Sequence, residues 1–325
     1  MCTAITYKTK NSYFGRNLDL EYSYDERITV TPKNYRFHFR HHDSINEHFA
    51  IIGMAFVVDD YPLYYDAMNE CGLAAAGLNF PGNARYNPVT GKCRYNIASF
   101  EFIPWILSQC KCVNEAKALL SDLNITDDRF SEQLPTSPLH WMIADREKSI
   151  VVEQTASGLH VYDNPAGVMT NNPTFDIQLF NLNNYMHIST EQAENSFSKE
   201  LDLEAYSRGM GGLGLPGDLS SASRFVKVAF TKLNSRSEEG EWSSINQFFH
   251  ILKSVEQQRG CVHIEGGKYE ITIYSSCCNL NTGVYYYTTY DNPQINAVDI
   301  HKEDLEGDAL KTFPLNLEES INRQN

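Results

Sequence analysis

The chain has 325 residues, 42% of them hydrophobic and 21% charged, which is typical of a globular protein with a large core. Its net charge is -14 at pH 7, and it has no dense clusters of lysine and arginine that would neutralise a phosphate backbone, which argues against nucleic-acid binding. No segment approaches the ~20 apolar residues that span a bilayer, and the first residues do not resemble a signal peptide. We therefore expect a cytoplasmic protein that does not associate with a membrane.

The first predicted strand begins beside a cysteine, because Cys2 directly follows Met1. Removal of Met1 would leave a thiol and a free α-amine on one residue. Their ordinary pKa values are about 8.5 and about 7.7 to 8.0, so near neutral pH the amine can accept the proton that the thiol loses. The position of Cys2 alone does not identify it as a nucleophile, since a cysteine near the start of a chain usually has no catalytic role.

A β-hairpin is predicted next. Residues 3–7 and 12–17 are β-branched or aromatic runs separated by a polar turn at 8–11. The hairpin returns Arg16 and Asp19 to the side of the first strand. An aspartate can orient an α-amine and an arginine favours a thiolate, although a surface ion pair is the ordinary alternative.

Strands and helices then alternate in groups along the chain. Further strands are predicted at 27–31, 36–40, 49–58, 72–79, 139–144, 149–153, 159–162, 168–171, 269–275, 283–290 and 295–300. Helices are predicted at 102–110, 113–123, from Ser220 and at 243–258. This order predicts an α+β fold, a four-layer αββα sandwich in which helices cover both outer faces of two packed sheets. We expect one domain over residues 1–325.

Two patterns are partly similar to a dinucleotide site and a zinc site, but neither predicts such a site here. Gly209, Gly211 and Gly214 match the G-x-G-x-x-G pattern of dinucleotide sites, but Leu215–Gly217 prolongs the loop where a helix should open, so a mobile loop over a cleft is the preferred interpretation. The eight cysteines are expected to stay reduced, and neither their spacing nor the histidines near His41 match a zinc motif. We expect no metal and no other cofactor.

Five blocks of sequence, in this order, resemble the choloylglycine hydrolase family of N-terminal nucleophile hydrolases, which includes bile salt hydrolases and penicillin V acylases. The blocks are Met1–Thr3, Phe14–Asp19, Gly77–Phe80, Thr170–Asp176 and Pro216–Phe225. The resemblance runs from Cys2 to about Asp299, which is nearly the whole chain. It implies a hydrolase of linear amides whose nucleophile is the N-terminal cysteine after loss of Met1.

The resemblance also implies roles for six residues. Cys2 would attack the amide carbonyl while its α-amine shuttles the proton. Asp19 and Arg16 would hold that terminus, and Arg224 would support the charge network. Asn79 and Asn171 would donate hydrogen bonds to the oxyanion, a task that suits asparagine because it brings N–H donors without a competing charge.

The substrate is predicted from fewer signals. Bile salt hydrolases of this family usually have asparagine where many penicillin V acylases have tyrosine, so Asn79 favours conjugated bile salts. A rigid apolar steroid needs an apolar pocket, and the candidates, for each of which core packing is about as plausible, are Leu18, Tyr24, Tyr65, Phe130 and Leu134. Arg208 is the candidate partner for the carboxylate of glycine or the sulfonate of taurine.

The leading hypothesis is therefore a bile salt hydrolase that releases glycine or taurine through a thioester on Cys2. The alternatives are a penicillin V acylase with the same machinery and an inactive member that binds an amphiphile. The resemblance further implies a homotetramer.

Overall fold

The computed structural model of the chain describes residues 1–319 and 321–325. Two large antiparallel sheets form its centre. The first has six strands in the order β12-β1-β2-β13-β14-β15. Its strands are β1 (Cys2–Lys8), β2 (Ser12–Leu20), β12 (Val168–Met169), β13 (Ile271–Asn279), β14 (Val284–Thr289) and β15 (Asn296–Asp299).

The second sheet has eight strands in the order β11-β10-β9-β6-β5-β4-β3-β16. They are β3 (Arg27–Thr31), β4 (Ile51–Val58), β5 (Tyr61–Asn69), β6 (Ala74–Asn79), β9 (Leu139–Ala144), β10 (Ser149–Thr155), β11 (Gly158–Asp163) and β16 (Lys311–Pro314). A separate parallel pair joins β7 (Tyr95–Ala98) to β8 (Leu123–Thr126). Both large sheets combine early and late parts of the chain.

Helices cover the outer face of each sheet, as an αββα sandwich requires. On the eight-stranded sheet, α1 (Phe102–Gln109) packs on β4, β5 and β6, and α2 (Val113–Leu120) joins the same apolar cluster. On the six-stranded sheet, α4 (Ser221–Asn234) contacts β1 and β12, and α5 (Glu241–Lys253) contacts β13. The predicted four-layer fold is confirmed.

The apolar residues separate into two clusters on either side of the eight-stranded sheet. One fills the space between the sheets and beneath α4 and α5, and it includes Cys2 and Leu18. The other lies beneath α1 and α2 and includes Trp105 and Trp141. Cys2 therefore lies in the inner cluster, at the end of a strand packed on both faces. No helix in the described residues is long and apolar enough to cross a membrane.

Several predicted elements differ from the structure. The strand predicted at 36–40 is a loop, in which Phe37 forms one isolated bridge to Ile45, because its alternating aromatic side chains pack into the outer cluster without a neighbouring strand. Strand β5 was not predicted, although it lies at the centre of its sheet, and neither was α3 (Phe175–Asn181). Pro62, Asp66 and three tyrosines obscure the apolar pattern of β5.

Candidate active site

The first hairpin places the thiol and a guanidinium side by side. Cys2 and Leu18 are opposite each other in the pairing of β1 with β2, and Arg16 lies opposite Ala4 on the same face. Cys2 is 2% exposed, and Nη2 of Arg16 lies 2.6 Å from its Sγ. A fixed cation at this distance stabilises the thiolate, which is the nucleophilic form of cysteine.

Arg16 is held between the two sheets. Its Nη1 donates to the backbone oxygens of Tyr65, at 3.1 Å, and Gly77, at 2.5 Å, both on the eight-stranded sheet. Burial alone would lower the pKa of Arg16, but the negative charges of Cys2 and Asp66 contribute to raising it above its ordinary value. Arg16 is therefore a permanent and immobile cation.

The backbone nitrogen of Cys2, which becomes the α-amine when Met1 is removed, already has one fixed acceptor. It donates to Oδ1 of Asn171 at 2.8 Å. Asp19 lies close by, with its own backbone N–H bonded to the carbonyl of Met1 at 3.0 Å. Oδ1 of Asp19 accepts from the hydroxyl of Thr272 at 2.6 Å, whereas Oδ2 is buried without a partner in the described chain.

Oδ2 of Asp19 lacks a hydrogen-bond donor among the described residues while Met1 is attached. A buried carboxylate oxygen without a donor is costly, and burial raises the pKa of Asp19, an effect that Arg224 opposes. The terminal amine of Met1 meanwhile contacts Glu270 and the backbone oxygen of Asp19. An α-ammonium on Cys2 would bring three N–H donors to this place instead of one amide N–H.

Arg224 connects the nucleophile to the asparagines. It lies in the first turn of α4, and its Nη1 donates to the backbone oxygen of Cys2 at 2.6 Å and to the hydroxyl of Thr3 at 2.5 Å. Its Nη2 donates to Oδ1 of Asn171 at 2.8 Å. Because that oxygen thus accepts from Cys2 and from Arg224, the Asn171 amide is oriented with its Nδ2 towards Asn79.

The two asparagines meet at the edge of the site. Nδ2 of Asn171 donates one hydrogen to the backbone oxygen of Asn79 at 2.7 Å, which leaves its second hydrogen for another acceptor. The Asn79 side chain is partly exposed and makes no hydrogen bond within the described part of the chain. The structure thus brings all six catalytic candidates together.

The comparisons with known proteins agree with this geometry. A protein-family profile described as linear amide C–N hydrolases, choloylglycine hydrolase family, matches residues 2–313. The chain belongs to the choloylglycine hydrolase family. The resemblance seen in the five sequence blocks is confirmed, and the family is one of enzymes that hydrolyse linear amides.

Relatives of this choloylglycine hydrolase are similar over their full length. The chain is 57% identical over 318 residues to the bile salt hydrolase/transferase of Lactiplantibacillus plantarum, covering 98% of each chain. It is 41% identical to the bile salt hydrolase/transferase of Clostridium perfringens, covering all of both chains. A crystal structure of a mutant conjugated bile acid hydrolase from C. perfringens superimposes with a TM-score of 0.93 at 40% identity, over 100% of both chains.

A penicillin V acylase from Agrobacterium tumefaciens also shares the fold. Its TM-score is 0.77 at 21% identity, with 97% of this chain and 92% of that chain covered. At this identity the likeness concerns the fold alone.

Three of the predicted pocket residues lie on the side of Cys2 and Arg16. Leu18 is the cross-strand neighbour of Cys2, and the backbone oxygen of Tyr65 accepts from Arg16. Tyr24 is 37% exposed, and its ring centroid lies 4.8 Å from that of Tyr22; burial raises the pKa of the nearby Tyr65.

The other three are placed differently. Phe130 packs on Tyr61 and Phe100, with ring centroids 5.7 and 5.2 Å apart, and belongs to the outer cluster rather than to the one that contains Cys2. Leu134 lies in the same loop, bonded to Ser131. Arg208 is exposed on the segment between α3 and α4, and the structure does not bring it against any of the six catalytic candidates.

Sequence reasoning missed the residues that hold the asparagines. The hydroxyl of Ser221 accepts from the backbone N–H of Asn171 at 2.8 Å, and Nε2 of Gln178 donates to its backbone oxygen at 2.8 Å. His140 bonds the carbonyl of Thr170 at 2.8 Å. Ser221 lies within a matched block, but Gln178 and His140 carried no local signal because their partners are distant in sequence.

Proposed function

We propose that this choloylglycine hydrolase cleaves the amide bond of bile salts conjugated to glycine or taurine, releasing the free bile acid and the amino acid. The observation that carries the proposal is the buried Cys2 thiol within 2.6 Å of Arg16, with the Cys2 nitrogen bonded to Asn171. The names of the two relatives described above, at 57% and 41% identity, support the substrate class.

The reaction begins once Met1 has been removed. The Cys2 sulfur attacks the amide carbonyl carbon, and the thiol proton passes to the α-amine on the same residue. Arg16 favours the sulfur anion, and Asp19 and Asn171 accept from the resulting ammonium. The carbonyl oxygen, on which negative charge develops, accepts hydrogen bonds from the amide groups of Asn79 and Asn171.

The intermediate then collapses and the C–N bond breaks. The α-ammonium returns its proton to the leaving nitrogen, so glycine or taurine departs as a neutral amine and the bile acid remains as a thioester on Cys2. Water attacks that thioester, with the α-amine accepting its proton, and the sulfur is released. Proton donor and acceptor are one group throughout, which explains why the network fixes its position so closely.

The two ends of the substrate need different surfaces. Leu18, Tyr24 and Tyr65 would contact the apolar steroid, whereas Phe130 and Leu134, which lie in the outer loop, would serve packing rather than substrate binding. Arg208 would pair with the carboxylate or sulfonate. If Arg208→Ala leaves the ratio of taurine- to glycine-conjugate hydrolysis unchanged, that assignment is wrong.

We also propose a homotetramer that acts in the cytoplasm. The segment between α3 and α4 and its flanks supports subunit contact, because eight large apolar side chains there are about half or more exposed. They are Ile177, Phe180, Met186, Phe197, Leu201, Leu203, Tyr206 and Leu213. Analytical ultracentrifugation of the wild type and of a Phe197→Ser, Tyr206→Ser variant tests this: a smaller species only in the variant is expected, and a monomeric wild type would contradict it.

Parallel kinetics on glycocholate, taurocholate and penicillin V test the substrate. We expect kcat/KM to be higher for both bile salts than for penicillin V. A preference for penicillin V would identify an acylase with the same machinery. Tight bile-salt binding without turnover of any of the three amides would identify an inactive amphiphile-binding member.

A further inference from the structure

A buried ionisable pair lies directly behind the two asparagines. His140, on β9, is 1% exposed, and Glu153, on the neighbouring β10, is completely buried. Nδ1 of His140 lies 3.0 Å from Oε1 of Glu153. Neither residue belongs to the six catalytic candidates, and neither contacts Cys2.

The histidine contacts the chain next to each asparagine. Its Nε2 lies 2.8 Å from the carbonyl oxygen of Thr170, the residue before Asn171. Its ring stacks on Phe80, the residue after Asn79, with centroids 4.2 Å apart and planes 5° from parallel. One side chain thus connects the two segments that present the oxyanion donors.

The hydrogen positions in this pair follow from its partners. A carbonyl oxygen only accepts, so Nε2 of His140 carries a hydrogen. Both oxygens of Glu153 lie within 3.1 to 3.3 Å of the backbone N–H of Phe175, so the carboxylate acts as an acceptor there as well. One hydrogen therefore lies between Nδ1 of His140 and Oε1 of Glu153, and the two side chains form a buried hydrogen-bonded pair.

The pair also fixes the chain beyond Asn171. Phe175 is the first residue of α3, and its N–H is one that a helix start leaves without an internal partner. Glu153 supplies that acceptor, while Gln178 of the same helix donates to the backbone oxygen of Asn171. The segment from Thr170 to Phe175 is therefore anchored at both ends by one connected network.

We infer that His140 and Glu153 are positioning residues for the oxyanion site, holding Asn79 and Asn171 at the spacing that the transition state requires. The inference rests on the proposed amide hydrolysis. A shift of about 1 Å in a positioned donor can cost on the order of 10²-fold in rate. The substrate-binding surfaces and the Cys2 thiol would be unaffected, so the loss should fall on kcat.

Four variants test the inference. His140→Phe keeps the stack on Phe80 but loses both hydrogen bonds. Glu153→Ala removes the acceptor for His140 and Phe175. Glu153→Gln keeps both contacts, since its oxygen accepts from Phe175 and its N–H donates to a neutral His140. Glu101→Ala is the matched control, because Glu101 is also buried and accepts from two backbone N–H groups, those of Arg40 and Ala98, but in the outer layer.

Two readouts separate positioning from general damage. The first is kcat and KM for glycocholate. The second is the rate at which iodoacetamide alkylates Cys2, followed on the N-terminal peptide by mass spectrometry, because this substitution develops no oxyanion and needs no oxyanion donors.

For His140→Phe and Glu153→Ala we expect kcat to fall about 10- to 100-fold, with KM within about 3-fold and Cys2 alkylation within about 2-fold of the wild type. Glu153→Gln should keep kcat within about 3-fold. Glu101→Ala should lower the melting temperature as Glu153→Ala does and leave kcat within about 2-fold.

Unchanged kcat in both deletion variants, or alkylation that slows as much as hydrolysis, overturns the inference. If the deletion variants do not fold, Glu153→Gln and His140→Gln decide. The first should retain kcat, and the second, which loses the ring stack on Phe80, should lower kcat about 10-fold; equal values overturn the inference. A wild type that hydrolyses none of the three amides overturns the proposed function itself, and the inference with it.

Discussion

The nucleophile network and the substrate-facing surface are built in different ways. Arg16, Asp19 and Arg224 are completely buried, and their side chains bond groups on several strands and on both sheets. Tyr24 and Arg208 are exposed on loops, and among the described residues the hydroxyl of Tyr24 bonds only that of its neighbour Tyr22. The comparison shows that the side chains around Cys2 are fixed through the core, whereas two of the residues proposed to bind substrate lie on exposed loops, which tolerate change.

The largest expected effect concerns the nucleophile. Cys2→Ala should fold and lose about 10⁴-fold or more of kcat, because no other group in the network can form the thioester. Cys277→Ala is the matched control, since Cys277 is also fully buried in the same sheet and burial raises its pKa well above the ordinary value. It should retain kcat. Equal losses of glycocholate hydrolysis in the two variants would show that Cys2 matters only for packing.

The next effect concerns the buried cation beside the thiol. Arg16→Met should lower kcat/KM about 10²- to 10³-fold and also destabilise the fold by about 3 kcal/mol, since the carbonyls of Tyr65 and Gly77 and the network around Asp66 lose their partner. Arg259→Met, which removes an exposed arginine over Tyr290, should change neither quantity measurably. Full activity in Arg16→Met would show that the nucleophile does not depend on this cation.

Substitutions of two adjacent residues, Asn171 and Asn172, test the asparagine network. Asn171→Ala removes an oxyanion donor and the acceptor for Cys2 and Arg224, and should lower kcat about 10²- to 10³-fold. Asn172→Ala removes only a bond to the backbone of Pro81 and one from Asn83, and should keep kcat within about 3-fold. Steady-state kinetics that place the larger loss at Asn172 would contradict the assignment.

The contrast between the buried network and the exposed loops also explains which parts of the site could be predicted from the sequence. The hairpin, Cys2, Arg16 and Asp19 lie within one short stretch, and the helix from Ser220 carries a serine before its apolar face, so local patterns predicted these elements, while the roles of the residues came from the resemblance to the family. The strand predicted at 36–40 is wrong and β5 was missed, since aromatic and charged side chains obscure whether a segment pairs. Phe130 matched a loop position, but the packing that assigns it to the outer cluster joins Tyr61 and Phe100, which are distant in sequence.

A smaller effect separates the two groups of aromatic candidates. Tyr65→Ala should raise the KM for glycocholate about 10-fold, as expected for the loss of one buried aromatic contact, with a smaller change in kcat. Phe130→Ala should lower the free energy of unfolding by about 1–2 kcal/mol and leave KM within about 2-fold, because its contacts are internal. An increase in KM for Phe130→Ala instead would return the outer loop to the substrate pocket.

The smallest effect concerns a buried cation away from the site. Lys232 donates to the backbone of Ala166 at 2.6 Å, and burial lowers its pKa to about 8. Between about pH 8 and 10.5 the unfolded chain keeps a proton that the folded chain has lost, so this group makes the free energy of unfolding rise with pH, by about 1–3 kcal/mol. Urea titrations of the wild type and Lys232→Met across that range should show the rise in the wild type alone, and parallel curves would contradict it.

The most direct test of the central claim is the mass of the N-terminal peptide after the enzyme is mixed with glycocholate and quenched in acid. The account predicts a peptide that begins at Cys2, lacks Met1 and carries one cholyl group on the Cys2 sulfur, removable by hydroxylamine. Met1 retained on active enzyme, or the cholyl group on another residue, would contradict it.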